Sequence, residues 1–284
     1  MGRAPGRRHD GNVNNGTPTV RLELESRPEC LTLVRGALIG IGETLAFDPE
    51  LLDDVKTAVS EACSNVVLHA YDGAPGPLAV VVKVGRDRVE AAVHDRGSGI
   101  HALSSAEDRI GVGLAVITAL AERAEFISTP GEGTQVRMAF VGSVAKAASA
   151  AELERPTSLN GAAPRSGLGG RVVVSLSSPV LLGPVLARVA RGMAAGAHFA
   201  VDRIRQLDPL ARTLAAHAVA AAAAPPLICA LSASNRRLQL TVGPFRDGSS
   251  AGLDSNLGAL GAELDVERAG DSETLRLVVS DPRS

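Results

Sequence analysis

The sequence has no tryptophan and one tyrosine, and aromatic residues make up only 2% of its 284 positions. A core without large rings must be built from Ala, Val, Leu and Ile. The three cysteines, Cys30, Cys63 and Cys229, are far apart, odd in number and outside any metal-ligand spacing. They argue against a disulfide framework and for a reducing compartment. An excess of one charge is also missing: 29 Lys and Arg face 31 Asp and Glu, a formal charge of −2. Nothing in that balance calls for nucleic acid or an anionic membrane as partner. The most apolar stretch, residues 214–231, is mostly alanine and is interrupted by His217, Pro225 and Pro226, so no membrane span is expected. Residues 1–18 carry basic side chains but no apolar h-region, and read as a flexible tail rather than a signal peptide. The expectation is a soluble cytoplasmic protein, long enough for two ordinary domains or one large one.

What is present is an ordered alternation of periods. Residues 19–27 (TVRLELESR) alternate apolar and charged, as a half-buried strand does. From Glu29 to Ala46 the spacing is helical, with Leu31, Val34, Leu38 and Ile41 as the stripe. Asp48-Pro49-Glu50 is a helix start, Asp as N-cap and Pro in the first turn, for a helix from Pro49 to Ala70. Residues 78–84 and 88–94 form a hairpin; a Gly-rich loop (95–113), a helix (114–123) and strands at 124–128 and 134–141 follow. Residues 143–170, rich in Ala, Ser, Gly and Pro, read as a linker. The order then recurs: a strand at 171–178, helices at 179–196 and 202–224, and two hairpins to residue 280. Residues 77–99 align without gaps on 226–248, matching Arg88 to Arg237, Val93 to Val242 and Gly99 to Gly248. A duplicated domain explains this economically. The competing reading is two α/β domains that merely share a common order of elements.

The second helix raises the chemical question. Glu61, Asn65 and His69 are four residues apart in SEACSNVVLHAYDG, so they form one polar row beside Val59, Ala62, Val66 and Val67. A packed helix avoids such a row unless something polar lies against it. Three glycine motifs at element ends could supply it. DRGSG (95–99) follows a strand, where Asp95 offers a carboxylate and Gly97 and Gly99 let backbone approach a planar ligand. GVGL (111–114) precedes a helix, whose N–H groups favour phosphate. GEGT (131–134) opens the last strand.

EACSNVVLHAY (61–71), DRGSG, GVGL and GEGTQVRM (131–138), in this order, resemble the GHKL ATPase superfamily, and within it the anti-sigma-factor serine kinases of bacteria. The resemblance covers residues 19–142 and implies an α/β fold of Bergerat type. That fold is an α+β two-layer sandwich with helices on one face of a mixed sheet. It implies ATP and Mg²⁺, with Asn65 as the Mg²⁺ ligand and Glu61 as general base on an attacking hydroxyl. Asp95 would accept from the adenine amine, Gly97 and Gly99 would shape the base pocket, and Gly111 and Gly113 would contact phosphates under a lid of residues 100–110. Thr134 would reach the adenine, and His69 and Tyr71 are structural or touch the lid. The implied partners are a STAS-type anti-anti-sigma protein as phosphate acceptor and a sigma factor held inactive. The alternative is a regulator that binds ATP without catalysis and acts only by sequestering a partner. A histidine kinase fits less well, since no helix bearing a phospho-acceptor His precedes the domain.

The second half keeps few of these groups. Thr213 falls opposite Glu61, His217 opposite Asn65 and Pro244 opposite Asp95, while AGLD (251–254) and DSET (271–274) stand for two of the glycine motifs. It reads as a degenerate copy at 171–284 that no longer binds ATP, serving as a built-in pseudo-dimer partner; a homodimer through the first half is the competing arrangement. Cys63 reads as a small buried side chain, His94 and His101 as solvent-facing, and Arg236-Arg237 as hairpin surface.

Overall fold

Alternation decides which face of each strand is buried, and one apolar row can be followed across the entire sheet. The computed structural model describes residues 17–99, 112–129, 131–144 and 163–282. Its first half runs β1 (Thr19–Glu25), α1 (Cys30–Leu45), α2 (Pro49–His69), β2 (Pro77–Val84), β3 (Arg88–Asp95), α3 (Val112–Leu120), β4 (Arg123–Thr129) and β5 (Gly133–Val141). The second half runs β6 (Val172–Leu176), α4 (Leu182–Gly196), α5 (Val201–Arg205), α6 (Leu207–Ala221), β7 (Leu227–Ser234), β8 (Arg237–Arg246), α7 (Leu253–Ala259), β9 (Ala262–Ala269) and β10 (Ser272–Ser280).

The ten strands form one sheet in the order β4-β5-β3-β2-β1-β6-β7-β8-β10-β9. Phe126, Val136, Val93, Val80, Leu22, Val174, Cys229, Val242, Leu275 and Val266 stand side by side across it. Helices α1, α2, α4 and α6 cover that face, so both halves contribute to one continuous apolar core. The two-layer α+β arrangement agrees with expectation. Every ladder among the described residues is antiparallel, however, where a mixed sheet was expected. The crossovers through α3 and α7 do join strands of like direction, β3 to β4 and β8 to β9, but β5 and β10 are inserted between them, so no parallel pair is hydrogen-bonded.

The halves meet at β1 and β6, which pair from Val20↔Leu176 to Glu23↔Val173, and where α1 packs on α4. Gly40 makes the helix contact close: a Cβ there would lie 2.7 Å from the Pro184 carbonyl oxygen. On either side of this seam the strand order is the same. The hairpin registers also agree: Ala79↔His94 and Lys83↔Glu90 in the first half match Ile228↔Gly243 and Ser232↔Gln239 in the second.

The Asp48 cap forms as expected, its Oδ1 accepting from the Glu50 amide at 3.1 Å. Two helices differ most from expectation. Helix α3 stops at Leu120, because Arg123 is already paired with Ala139 in the sheet. The helix expected over 202–224 is broken at Gln206 into α5 and α6. Pro209 lies in the first turn of α6, where its missing N–H is tolerated, whereas inside a continuous helix it would clash with the turn before. The short helix α7 was not expected. The proposed tail lies mostly outside the described residues, as does most of the linker. Among the described residues no helix is long and apolar enough to cross a membrane.

Candidate functional site

Helix α2 carries Glu61 and Asn65 one turn apart, both half-buried, while its Val55, Ala58, Val59, Ala62, Cys63 and Val66 are packed into the core. The row is therefore bent away from the sheet toward the start of α3. A Cβ placed on Gly113 would lie 3.1 Å from Glu61 Oε2 and 3.4 Å from Asn65 Oδ1. Carboxylate, amide and a helix-opening glycine thus converge, and the absent side chain keeps the space between them open. His69 is exposed at the end of the row.

Asp95 ends β3 and is buried, at 6% exposure. Its Oδ1 accepts from the Gly97 amide at 2.8 Å and the Thr134 amide at 3.2 Å. Both bonds fall on one oxygen, which leaves Oδ2 to accept from a ligand. Burial raises the Asp95 carboxyl above its ordinary value, against the pull of those two amides. Gly97 is buried with its Cα against the end of α2, where a Cβ would overlap the Ala70 carbonyl and sit 2.7 Å from its carbon. Gly133 has φ +97°, and a Cβ there would run into the Asp95 carbonyl and lie 2.7 Å from Arg96 Cα. Only glycine meets both demands at that position. Gly99 has φ +83° and lies beside Ser128.

The structure thus brings together Glu61, Asn65 and Gly113 at one place, and Asp95, Gly97, Gly99 and Thr134 at another. Helix α2 connects them, with Ala70 touching the loop at its far end. Gly111, His101 and the lid residues 100–110 lie outside the described residues. Among the described residues there is no cluster of three or more His, Cys, Asp or Glu able to hold a metal alone. A single amide beside a carboxylate fits a Mg²⁺ that takes its other ligands from phosphates and water.

A family model described as the histidine kinase-like ATPase domain matches residues 24–140. The anti-sigma F factor of Caldanaerobacter subterraneus is 35% identical over 129 residues, which is 42% of this chain and 90% of that protein. The anti-sigma F factor of a Thermoanaerobacter species is 30% identical over 138 residues, covering 45% and 96%. This chain belongs to the histidine kinase-like ATPase family, in its anti-sigma-factor branch. Serine-protein kinase RsbW of Bacillus pumilus is 34% identical over 99 residues, 34% of this chain, and the chain spans 61% of that relative's length. The match to the family model thus falls in the first half of the chain.

In the second half, the end of β8 and the loop after it form a side-chain cluster of their own. Phe245 is fully buried, and His217 packs on it with ring centroids 4.7 Å apart. Glu273, 1% exposed, accepts from Ser250 N at 2.6 Å, Ser249 Oγ at 2.8 Å and Gly248 N at 3.2 Å. Burial would raise its carboxyl, but these donors outweigh it and hold Glu273 below the ordinary value. Sequence reasoning missed this cluster, whose signal was only the pair of serines after a glycine.

Two other expectations changed. His94 is buried at 8% exposure on the uncovered face of the sheet, with Nε2 3.0 Å from Gln135 Nε2. Desolvation, and the nearby Arg21 and Arg137 guanidinium groups, push it down to about 4. Arg237 is exposed, but Arg236 is half-buried and bonds Asp281 Oδ2 at 2.6 and 3.1 Å. Cys63 is fully buried, as expected, and desolvation raises its thiol.

Proposed function

We propose that the first half binds Mg·ATP and transfers its γ-phosphoryl group to a serine of a STAS-type anti-anti-sigma protein, and that the chain holds a sigma factor inactive. The observation that carries this reading is the convergence of Glu61, Asn65 and Gly113 beside the start of α3. Retention of a carboxylate there favours catalysis over mere nucleotide binding, since a binder has no use for a base. Asp95, through Oδ2, accepts from the adenine exocyclic amine; Thr134 reaches the base, and Gly97 and Gly99 let the ring approach the backbone. Gly113, with Gly111, cradles phosphate at a helix N-terminus. Asn65 would hold Mg²⁺, which would supply neutralisation of phosphate charge. Glu61 takes the proton from the acceptor serine as its Oγ bonds to phosphorus and the bond to ADP breaks. Positioning and charge neutralisation supply most of the rate.

The second half, in this reading, is a degenerate copy that occupies the place of a dimer partner. The matching strand order about the β1–β6 seam and the matching hairpin registers support it. Glu273 already uses the loop amides of Gly248 and Ser250, so a nucleotide has no donors to meet there.

The test incubates the full chain with labelled ATP, Mg²⁺ and a candidate STAS protein. Glu61→Ala is expected to lose transfer by about 10²- to 10⁴-fold while retaining nucleotide binding, and Asp95→Ala to lose both. Undiminished transfer by Glu61→Ala would remove the base from the mechanism.

A further inference from the structure

The two parts of the site, the carboxylate–amide pair on α2 and the base-reading loop after β3, belong to different elements, and something must hold their spacing. Tyr71 is placed to do so. Its hydroxyl donates to the Pro77 carbonyl at 2.5 Å and accepts from the Arg96 amide at 2.7 Å. Pro77 opens β2 and Arg96 is the first residue after Asp95, so one phenol ties the end of α2 to both strands. The ring lies flat against Gly76, where a Cβ would be 2.5 Å from Tyr71 Cδ1. One residue earlier, the Ala70 carbonyl accepts from the Ser98 amide at 3.0 Å. Gly76 is itself fixed to Ser26 by a pair of bonds, 2.8 Å from the Ser26 amide and 2.9 Å to its hydroxyl. Burial pushes the phenol up to about 12, so it stays protonated and keeps its donor role at any working pH.

Resting on the nucleotide-binding reading above, we propose that Tyr71 is a positioning residue for base recognition. By holding the Arg96 amide it fixes where Asp95 Oδ2 stands relative to Asn65, and so sets the preference for a purine bearing an exocyclic amine over one bearing an oxo group at that position. Neither bond is made to the ligand, which separates Tyr71 from the residues that touch it. In Tyr71→Phe the ring still packs on Gly76, but Pro77 and Arg96 lose their common partner, and the loop keeps the Ala70–Ser98 bond, the two amides on Asp95 and the long Arg96–Ser166 side-chain bond.

The experiment titrates the full chain with Mg·ATP and, separately, Mg·GTP by calorimetry, for wild type and Tyr71→Phe. ATP is expected to bind about 10-fold more weakly to the variant, GTP to change by less than about 3-fold, and the ratio of the two affinities to fall accordingly. In the transfer assay, KM for ATP rises about 10-fold while kcat falls far less. Should Tyr71→Phe not fold, Gly76→Ala displaces the ring while keeping the hydroxyl, and the same ratio is read. An unchanged ATP-to-GTP ratio, or equal loss for both nucleotides, overturns the positioning role while leaving the nucleotide site intact. No heat from either nucleotide with wild type overturns both.

Discussion

Glycines at the seam between the halves allow a test in which the sign of the effect is diagnostic. Replacing glycine by alanine inside a helix ordinarily stabilises by about 0.5–1 kcal/mol, because the unfolded chain loses freedom. Gly40→Ala should reverse that sign. Its Cβ would meet backbone, the Pro184 oxygen at 2.7 Å, the Pro184 carbon at 2.8 Å and the Val185 nitrogen at 3.1 Å. Backbone cannot rotate away, so α1 and α4 must part. Overpacking of this kind costs about 1–3 kcal/mol, which after the helix gain leaves a net loss of up to about 2.5 kcal/mol, centred on about 1 kcal/mol. At about 2–4 °C per kcal/mol for a chain of this size, the melting temperature falls by several degrees. Gly192→Ala meets only the Leu33 Cδ2 methyl, at 2.6 Å, and should be near neutral. Gly196→Ala has nothing within 4 Å and should gain a few tenths of a kcal/mol. Thermal unfolding of the three variants by circular dichroism ranks them. A Gly40→Ala protein that melts at or above wild type would show that the helices do not meet as described.

Two further outcomes are expected. Mg·ATP should bind at one equivalent per chain, and light scattering should return the mass of a single chain; two equivalents, or an obligate homodimer, would remove the degenerate-partner reading. His94 titrates near 4 in the folded chain against 6.5 in the unfolded one. The unfolded state therefore binds more protons between those values, and stability is lost as pH falls through that window. His94→Gln should flatten the slope of denaturant midpoint against pH there, and an unchanged slope would place the proton linkage elsewhere.

Much of the fold was legible because it is written locally. Asp48-Pro49 marks the start of α2, the period of 3.6 carries it to its end, and the alternation of residues 78–84 and 88–94 gives the hairpin of β2 and β3. The site row on α2 was legible for the same reason, since Glu61 and Asn65 break an otherwise apolar stretch. What escaped depends on contacts between distant segments. TVRLELE reads as a half-buried strand, yet nothing in it says that β6 will be its second neighbour. His94 alternates to the uncovered face, and only the presence of Gln135 and the nearby arginines reveals that it is buried there. The clamp by Tyr71 joins the end of α2 to β2 and to the loop after β3, and Gly40 shows its purpose only once α4 lies against it.

The β1–β6 junction has a consequence for supply. Where two identical polypeptides associate, every altered codon is expressed on both sides, and neither can specialise without the other. Here the two flanks are encoded separately yet delivered already joined, in fixed one-to-one proportion. Each flank can change by mutation without altering the other, with no risk that the pair will fail to find each other at low abundance.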